Sequence, residues 1–354
     1  MGKLLRKPKV AIVLVVFLVV FIIGLAGGAL GDKFGGGFLG SPLPHLQLAA
    51  EKVTAEPQFP GFTVTNTMIA TWVAIAVLGI LTFFATRRMT EVPRGLQNLF
   101  EAVIEYFIHL AETIAGHERA RTFLPLVLTI FLFIVTANWL GVLPGFGTIG
   151  RVETADQIIH HAEEKAEKDG EAANLATIEL HVFDGDGGVA VQSFGSVGET
   201  ITAEEYEHDG IEEGKRAGIL VPFLRSANTD VNTTLAIALI AMVMVHWWGL
   251  RTLGAFNHLG KYFSFKRGAI WFMVGILEAI GEVARIISFT FRLFGNIFAG
   301  EVLLAAMAFL LPLIGIVPFL GLELFVGLIQ AFIFSMLTLV FAASATASHG
   351  AEGH

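Results

Sequence analysis

Long apolar segments separated by short polar ones make up most of the 354-residue chain. Apolar runs at 10–26, 65–86, 121–145 and 231–250 are near the length of about 20 residues that a helix needs to cross a bilayer. In residues 96–115, apolar side chains instead recur at helical spacing among glutamates. The pattern therefore predicts several membrane-spanning helices and one amphipathic helix on a membrane surface.

The C-terminal part of the chain has the longest uninterrupted helical pattern. No proline occurs between Pro222 and Pro312, so one helix can occupy residues 268–311. Such a helix of roughly 43 residues is about 65 Å long, twice the ~30 Å of a hydrocarbon core. A continuous helix must therefore lie far over towards the membrane plane, or the helix must break near its glycines. A second apolar helix follows at 319–345. We therefore predict an all-α polytopic membrane protein, with transmembrane helices plus a long, strongly tilted helical hairpin at the C-terminal end.

The composition agrees with a membrane protein. The mean hydropathy is +0.70, with 54% hydrophobic and 15% charged residues, which excludes an ordinary soluble domain. The absence of cysteine excludes disulfides, thiolate metal sites and cysteine nucleophiles. The net charge of −8 is unevenly spread, because residues 151–225 hold 17 acidic and 6 basic side chains.

Basic residues at the ends of the apolar runs orient the chain. They are Lys3, Arg6, Lys7 and Lys9 before the first run, Arg87 and Arg88 after the second, and Arg251, Lys261, Lys266 and Arg267 after the fourth. Since the cytoplasmic flanks of membrane spans collect Lys and Arg, these ends are predicted to be cytoplasmic. The acidic block then lies outside, and the C-terminus is cytoplasmic.

These boundaries predict a division of the chain into successive parts. The parts are a signal peptide or signal anchor at 1–30, an external linker at 31–64, a transmembrane helix, cytoplasmic amphipathic helix and transmembrane helix at 65–146, an acidic external insertion at 147–220, a transmembrane helix and cytoplasmic loop at 221–267, the tilted hairpin at 268–346, and a tail at 347–354. Within the insertion, the Ala/Glu/Lys-rich residues 153–174 are compatible with a solvated helix.

Polar residues persist in the hairpin, where each charge costs several kcal/mol unless it faces a partner or water. They are Glu278, Glu282, Arg285, Arg292, Asn296, Glu301, Glu323 and Gln330. At about 100° per residue, those from 278 to 296 share one stripe, and Glu301 lies on the opposite face. Glu278, Glu282 and Arg285 are three or four residues apart, so two interpretations remain: they pair with one another as a structural cluster, or they line an ion path. Arg292 has no carboxylate three or four residues away, so its partner is expected elsewhere.

Four motifs resemble those of a known family. The segments "FRLFGNIFAGE", "LIQAFIFSMLTLVF", "FLPLVLTIFLFIVTANWLGVLP" and "SANTDVNTTLAIAL" are similar to signatures of subunit a of the F-type ATP synthase membrane sector. The resemblance covers roughly residues 65–145 and 220–345. Two features depart from it: the acidic segment at about 147–218 is longer than the family's usual external loop, and many members lack the N-terminal apolar run.

The resemblance implies a role for individual residues. Arg292 matches the essential arginine that faces the ion-carrying carboxylate of the rotor ring. The implied ion path comprises Asn296, Glu301, Glu323 and Gln330, then Glu278 near its cytoplasmic end, and Asn138, Asp230 and Asn232 in the external half-channel. The chemistry of the charges adds Glu282 to the cytoplasmic side.

The implied function is that of a stator subunit with two offset half-channels, which pass protons to and from the carboxylates of the rotating c-ring. The implied partners are the c-ring, the peripheral-stalk b subunits, the rest of the ATP synthase and membrane lipid, with no nucleic acid. No cofactor, metal or catalytic site for ATP is expected in this chain. The implied location is the inner or plasma membrane of a prokaryote.

Other interpretations are less well supported by the sequence. A stand-alone ion channel or secondary transporter would predict internal inverted repeats, and an intramembrane enzyme would need a convergent catalytic set; neither is apparent. His246 is expected to be an interfacial residue rather than a ligand. His160 and His161 are expected to be solvated, and "FDGDGG" at 183–188 to be a turn rather than a calcium loop.

Overall fold

The structure is a computed structural model that describes residues 8–28, 48–53, 63–169, 174–185, 189–191, 200–212, 214–254 and 269–347. Parts of the predicted linker, insertion, cytoplasmic loop and tail lie outside the described residues. The helices are α1 (Pro8–Gly27), α2 (Asn66–Thr86), α3 (Leu96–Ala115), α4 (His117–Gly141), α5 (Ala155–Asp169), α6 (Ala203–Asp209), α7 (Val231–Leu253), α8 (Ala269–Leu310) and α9 (Val317–Thr346). The strands are β1 (Ile149–Thr154), β2 (Glu179–Asp184), β3 (Val189–Val191), β4 (Thr200–Thr202) and β5 (Lys215–Pro222).

Five of the described helices, α2, α4, α7, α8 and α9, are long and apolar enough to cross a membrane. The prediction of an all-α polytopic membrane protein is therefore confirmed. Helix α8 contains 42 residues without a break, so of the two alternatives the continuous helix is observed. Helix α3 has the bounds that the periodicity predicted, and buries Phe107, Ala111 and Ala115.

The chain divides into two compact units. The first comprises Met1–Ile69, Val142–Arg225 and Ala299–Glu323, and the second comprises Ala70–Gly141, Ser226–Phe298 and Leu324–His354. The hydrophobic core of the second unit is built by α3, α4, α7 and the parts of α8 and α9 within it. Aromatic rings pack at centroid distances of 4.7 Å in three places: Phe107 on Phe131, Phe123 on Trp248, and Phe289 on Phe334.

The first unit contains a five-stranded antiparallel sheet, which the sequence analysis did not predict. The strand order is β3-β1-β5-β2-β4, with Arg151 opposite Val221 and His181 opposite Gly218. Helix α5 lies within the residues proposed as a solvated helix. Its apolar residues, together with α6, cover the sheet around the fully buried Leu180. The central strand β5 is buried along most of its length, so the acidic insertion has its own small core.

Helix α1 packs against the turn between α8 and α9, within the first unit. A Cβ atom on Gly24 would lie 2.5 Å from the carbonyl oxygen of Pro312, and one on Gly28 would lie 2.5 Å from that of Leu310. Only glycine permits these approaches without displacing backbone. The small residues at the end of the N-terminal apolar run therefore allow close helix packing.

Candidate functional site

A partly buried ion pair in the first unit joins Arg225 to Glu301 of α8. The Arg225 guanidinium donates from Nε to both carboxylate oxygens of Glu301, at 3.0 and 3.2 Å, and from Nη2 to Oε2 at 2.9 Å. The Arg225 side chain is 5% exposed and that of Glu301 is 29% exposed. Arg225 Nη1 also donates to the carbonyl oxygen of Ala49 at 3.2 Å. Glu301 was predicted as a site residue, whereas its partner Arg225 was not.

A second predicted carboxylate, Glu323, lies beside this pair. Glu323 is buried, and its carboxylate fills the space that a Cβ atom on Gly300 would occupy. It is close enough to Glu301 for the two side chains to interact electrostatically. The structure therefore brings together Glu301 of α8 and Glu323 of α9, and Gly300 makes room for the second carboxylate.

A third carboxylate, Glu51, belongs to the segment that was predicted to be an external linker. Its side chain accepts a hydrogen bond from Asn66 Nδ2 at 3.2 Å. Burial raises the pKa of Glu51 from 4.5 to about 7; the positive charge of Arg225 opposes this shift, and the negative charges of Glu301 and Glu153 reinforce it. Sequence reasoning missed Glu51 because it lies outside every apolar segment.

A chain of buried amides forms a separate cluster in the second unit. Asn228 Nδ2 donates to Asn138 Oδ1 at 2.6 Å, and Asn138 Nδ2 donates to the carbonyl oxygen of Gly327 at 3.1 Å. Asn138 and Asn228 are 4% and 0% exposed. A Cβ atom on Gly141 would lie 2.5 Å from that of Ser226, so this glycine allows the turn that carries Asn228 to approach α4. The predicted residue Asn138 thus joins two other segments.

The predicted residues Asp230 and Asn232 lie at the start of α7. The Asp230 carboxylate accepts a hydrogen bond from the backbone N–H of Asn232 at 2.9 Å, and so caps the helix. Asp230 is buried, and the Asn232 side chain is exposed. The structure gives Asp230 a clear local role and brings Asn232 to the surface.

The charged stripe of α8 separates into paired and exposed members. Arg285 forms an ion pair with Glu282 and lies over the Phe341 ring at 4.7 Å. His246 Nε2 of α7 lies 3.6 Å from Glu282 Oε2. The internal pairing considered for this stripe is therefore observed for Glu282 and Arg285. His246, which was expected to be an interfacial residue, belongs to the same cluster.

The remaining predicted residues of α8 face outward. Glu278, Arg292 and Asn296 are exposed, and within the described part of the chain Arg292 makes no ion pair. The large apolar residue next to Arg292, Phe291, is 57% exposed. Gln330 of α9 is half-buried. Arg292 and Asn296 therefore form a polar patch on an otherwise apolar helix surface.

No group of three or more potential metal ligands occurs among the residues that the structure describes. The profile of the family described as "ATP synthase A chain" matches residues 68–343, more than three quarters of the chain. The chain belongs to the ATP synthase subunit a family.

Several relatives named ATP synthase subunit a support this assignment. The protein of Gloeobacter violaceus is 32% identical over 285 residues, covering 80% of this chain and 85% of the relative. That of Mycobacterium bovis is 30% identical over 287 residues, with 79% and 87% coverage. That of Desulforamulus reducens is 26% identical over 298 residues, with 82% of each chain covered.

Membership in the subunit a family explains the apolar helices and confirms the resemblance found in the motifs. All of the predicted site residues lie within the matched range of 68–343, as does Arg225. Glu51 and Asn66 lie outside it. The chain is a multi-pass membrane protein and a subunit of an ATP synthase complex.

Proposed function

We propose that this subunit a carries protons between two offset half-channels and the carboxylates of a rotating c-ring. The observation that carries the proposal is the exposure of Arg292 and Asn296 on an apolar surface of α8. An arginine at membrane depth is costly without a partner or water, and a carboxylate on a neighbouring subunit would supply that partner. The apolar surface of α8, on which Ile280, Ile287 and Phe291 are each more than half exposed, suits a protein neighbour or lipid.

Arg292 has the chemistry needed between the half-channels. Its guanidinium stays protonated at any accessible pH, favours the ionised form of a carboxylate beside it, and repels protons and other cations. A rotor carboxylate must be neutral while it crosses lipid, since an uncompensated charge there is too costly. It would release its proton on one side of Arg292 and take up another on the opposite side. Lysine is a poor substitute because it loses its proton when buried.

Carboxylates and amides would serve the external half-channel. We assign proton uptake to Glu301 and Glu323, which the first unit brings together, and to Asn138 and Asp230 in the second unit, with Asn232 at the entrance. The hydrogen bonds from Arg225 support this assignment, because they keep the Glu301 carboxylate in a fixed position.

The cytoplasmic half-channel would use the other end of α8. We assign Glu278 and Glu282 to proton release, and add His246 because its ring nitrogen lies near the Glu282 carboxylate. Asn296 and Gln330 would line the region close to Arg292. With this orientation the insertion is external and the C-terminus is cytoplasmic. The close packing of Gly24 on Pro312 favours α1 as a retained signal anchor.

The proposal extends to the partners of this chain. The exposed face around Arg292 is the surface we assign to the c-ring, and the peripheral-stalk b subunits would hold the chain against rotation. ATP chemistry would take place in other subunits of the complex.

The Glu301→Leu variant tests the proposed path. In membrane vesicles that contain the assembled complex, it should slow proton translocation without abolishing assembly, because a leucine cannot bind or release a proton. Glu301→Asp should retain part of the rate. Glu167→Leu, which removes an exposed carboxylate from α5, is the matched control. An unchanged rate per assembled complex in Glu301→Leu would remove Glu301 from the path.

A further inference from the structure

We propose that Glu51 relays protons from a cavity, lined by charged residues of segment 50–52 and the acidic insertion, to the Arg225–Glu301 pair. The insertion would then act as a vestibule that collects protons for the external half-channel. This inference rests on the proposed function, since it needs Glu301 to belong to the ion path. It gives a role to two parts of the chain that the family resemblance left unexplained, the residues before α2 and the long insertion.

The cavity lies within the first unit and has a volume of about 670 Å³. A water molecule occupies about 30 Å³ in the liquid, so the cavity has room for roughly 20 of them. Segment 50–52, β1, α5 and Val221 of β5 line it. A cavity of this size, lined mainly by polar and charged residues, has room for hydrogen-bonded water along which protons can move.

Titratable side chains of both signs line this cavity. They are Glu51, Lys52, Arg151, Glu153, Asp156, His160 and His161. His161 Nδ1 lies 3.5 Å from Glu153 Oε1. Histidine and carboxylate side chains can each bind and release a proton, as a proton-collecting surface requires. His160 and His161, which were expected to be solvated, therefore line this cavity together with the carboxylates.

Glu51 connects this cavity to the ion pair. Its side chain lines the cavity and also lies within electrostatic range of Arg225 and Glu301. Two residues before it, the carbonyl oxygen of Ala49 accepts a hydrogen bond from Arg225. Glu51 thus borders the cavity and also interacts electrostatically with the guanidinium that holds Glu301.

The backbone fixes Glu51 in this place. Asn66 N donates to the carbonyl oxygen of Glu51 at 3.0 Å, and Val53 N donates to that of Val64 at 3.1 Å. Lys52 pairs with Thr65 in an antiparallel bridge. Asn66, which is fully buried, also donates from Nδ2 to the Glu51 carboxylate. Segment 48–53 is therefore held along the start of α2 rather than lying free.

The protonation of Glu51 suits a relay. Burial raises its pKa to about 7, so both forms are populated near neutral pH, as efficient proton transfer requires. The charged groups that act on it are Arg225, Glu301 and Glu153. Burial is the largest influence on this pKa, and both Arg225 and the hydrogen bond from Asn66 oppose it.

The proposed step conserves charge around Arg225. The O–H bond of protonated Glu51 breaks as an O–H bond forms on the Glu301 carboxylate, directly or through water. The negative charge then moves from Glu301 to Glu51, while the guanidinium remains within range of both. Glu51 regains a proton from the cavity, and Glu301 passes its proton onward.

A purely structural role for Glu51 predicts different behaviour. Glutamine keeps an oxygen that accepts the hydrogen bond from Asn66, so Glu51→Gln preserves the local structure but cannot titrate. Histidine at the same position restores a group that titrates near pH 6.5. A relay therefore needs a titratable side chain at 51, whereas a structural role needs only a hydrogen-bond acceptor.

The test measures proton conductance of the assembled complex in vesicles, while the pH on the side facing the insertion is varied from 6 to 9. Glu51→Gln should lower conductance above pH 7 by about tenfold, less than the roughly hundredfold of an obligatory proton-transfer group, because water can still reach Glu301. Wild-type conductance should decline as the pH rises through about 7. In Glu51→His this decline should shift towards pH 6.5, where histidine titrates. Glu167→Gln is the matched control, and Glu301→Gln reports on the proposed path itself.

The outcomes distinguish a failure of the Glu51 relay from a failure of the proposed ion path through Glu301. Wild-type conductance in Glu51→Gln at every pH, with Glu301→Gln impaired, would overturn the relay and leave the proposed function intact. Normal conductance in both variants would remove Glu301 from the proposed path, and the relay would be overturned together with that part of the proposed function. Equal losses in Glu51→Gln and Glu51→His, with no change in pH profile, would make Glu51 structural.

Discussion

Breaking the Arg225–Glu301 pair gives a prediction whose size follows from the geometry. Three hydrogen bonds of 2.9–3.2 Å join the guanidinium to the carboxylate, and the arginine side chain is 5% exposed. Glu301→Leu leaves the arginine with its contact to Ala49 O but without its carboxylate. Arg225→Leu leaves the Glu301 carboxylate beside Glu323.

The energetic cost lies between that of a surface pair and that of a fully buried one. Removing one partner of a buried pair costs about 3–5 kcal/mol, whereas an exposed pair contributes about 0–1 kcal/mol. Because Glu301 is 29% exposed, we expect each single variant to lose about 2 kcal/mol. The double variant, with leucine at both positions, should lose less than the two single losses together by about 2 kcal/mol.

The assay compares the four proteins in purified complexes in detergent. The fraction of subunit a that remains folded and bound to the complex is measured as the denaturant concentration is raised, under conditions in which unfolding and dissociation are reversible. Arg216→Leu is the matched control, because it removes an arginine from the same unit without touching the pair. Additive losses in the double variant would refute the reasoning, since they would mean that the two side chains contribute independently to stability.

Two further predictions concern neighbouring residues. Gly300→Ala should displace the Glu323 carboxylate and lower the rate of proton translocation with near-normal assembly. In the control Gly79→Ala the added methyl meets nothing within 4 Å, so the rate should be unchanged. Equal rates in the two variants would argue against a role for the position of the Glu323 carboxylate. The raised pKa of Glu51 means that the folded state binds the proton more tightly than the unfolded state does. The stability that Glu51 contributes is therefore fully present below pH 4.5 and falls by up to about 3 kcal/mol as the pH rises through about 7. Hydrogen exchange at the Asn66 amide, corrected for the intrinsic rate, should therefore become less protected at high pH in the wild type but not in Glu51→Gln; identical profiles would contradict the shift.

The helices could be predicted because their signals are local. Apolar length, helical periodicity and the absence of proline specify α2, α3, α4, α7, α8 and α9 within a few residues. Glu301 and Glu323 could be found as candidates because a carboxylate in an apolar helix is conspicuous.

The sheet and the partners of the site depend on contacts that are distant in sequence. Strands β3 and β4 have only three residues each, too few to give a periodic pattern. The continuous apolar run of β5 was a usable sign of a buried strand. Arg225 and Glu301 are 76 residues apart, and Glu51 is supplied by a segment without any pattern, so no spacing rule relates them.

The central claim is that Arg292 is the barrier between two half-channels and the partner of a rotor carboxylate. The most direct measurement records ATP-driven proton pumping and passive proton leak side by side, in membrane vesicles that contain the complex with Arg292→Ala. Arg88→Ala, which removes an exposed arginine after α2, is the control. The account predicts lost pumping and an increased leak with normal assembly. Normal pumping in Arg292→Ala would contradict it.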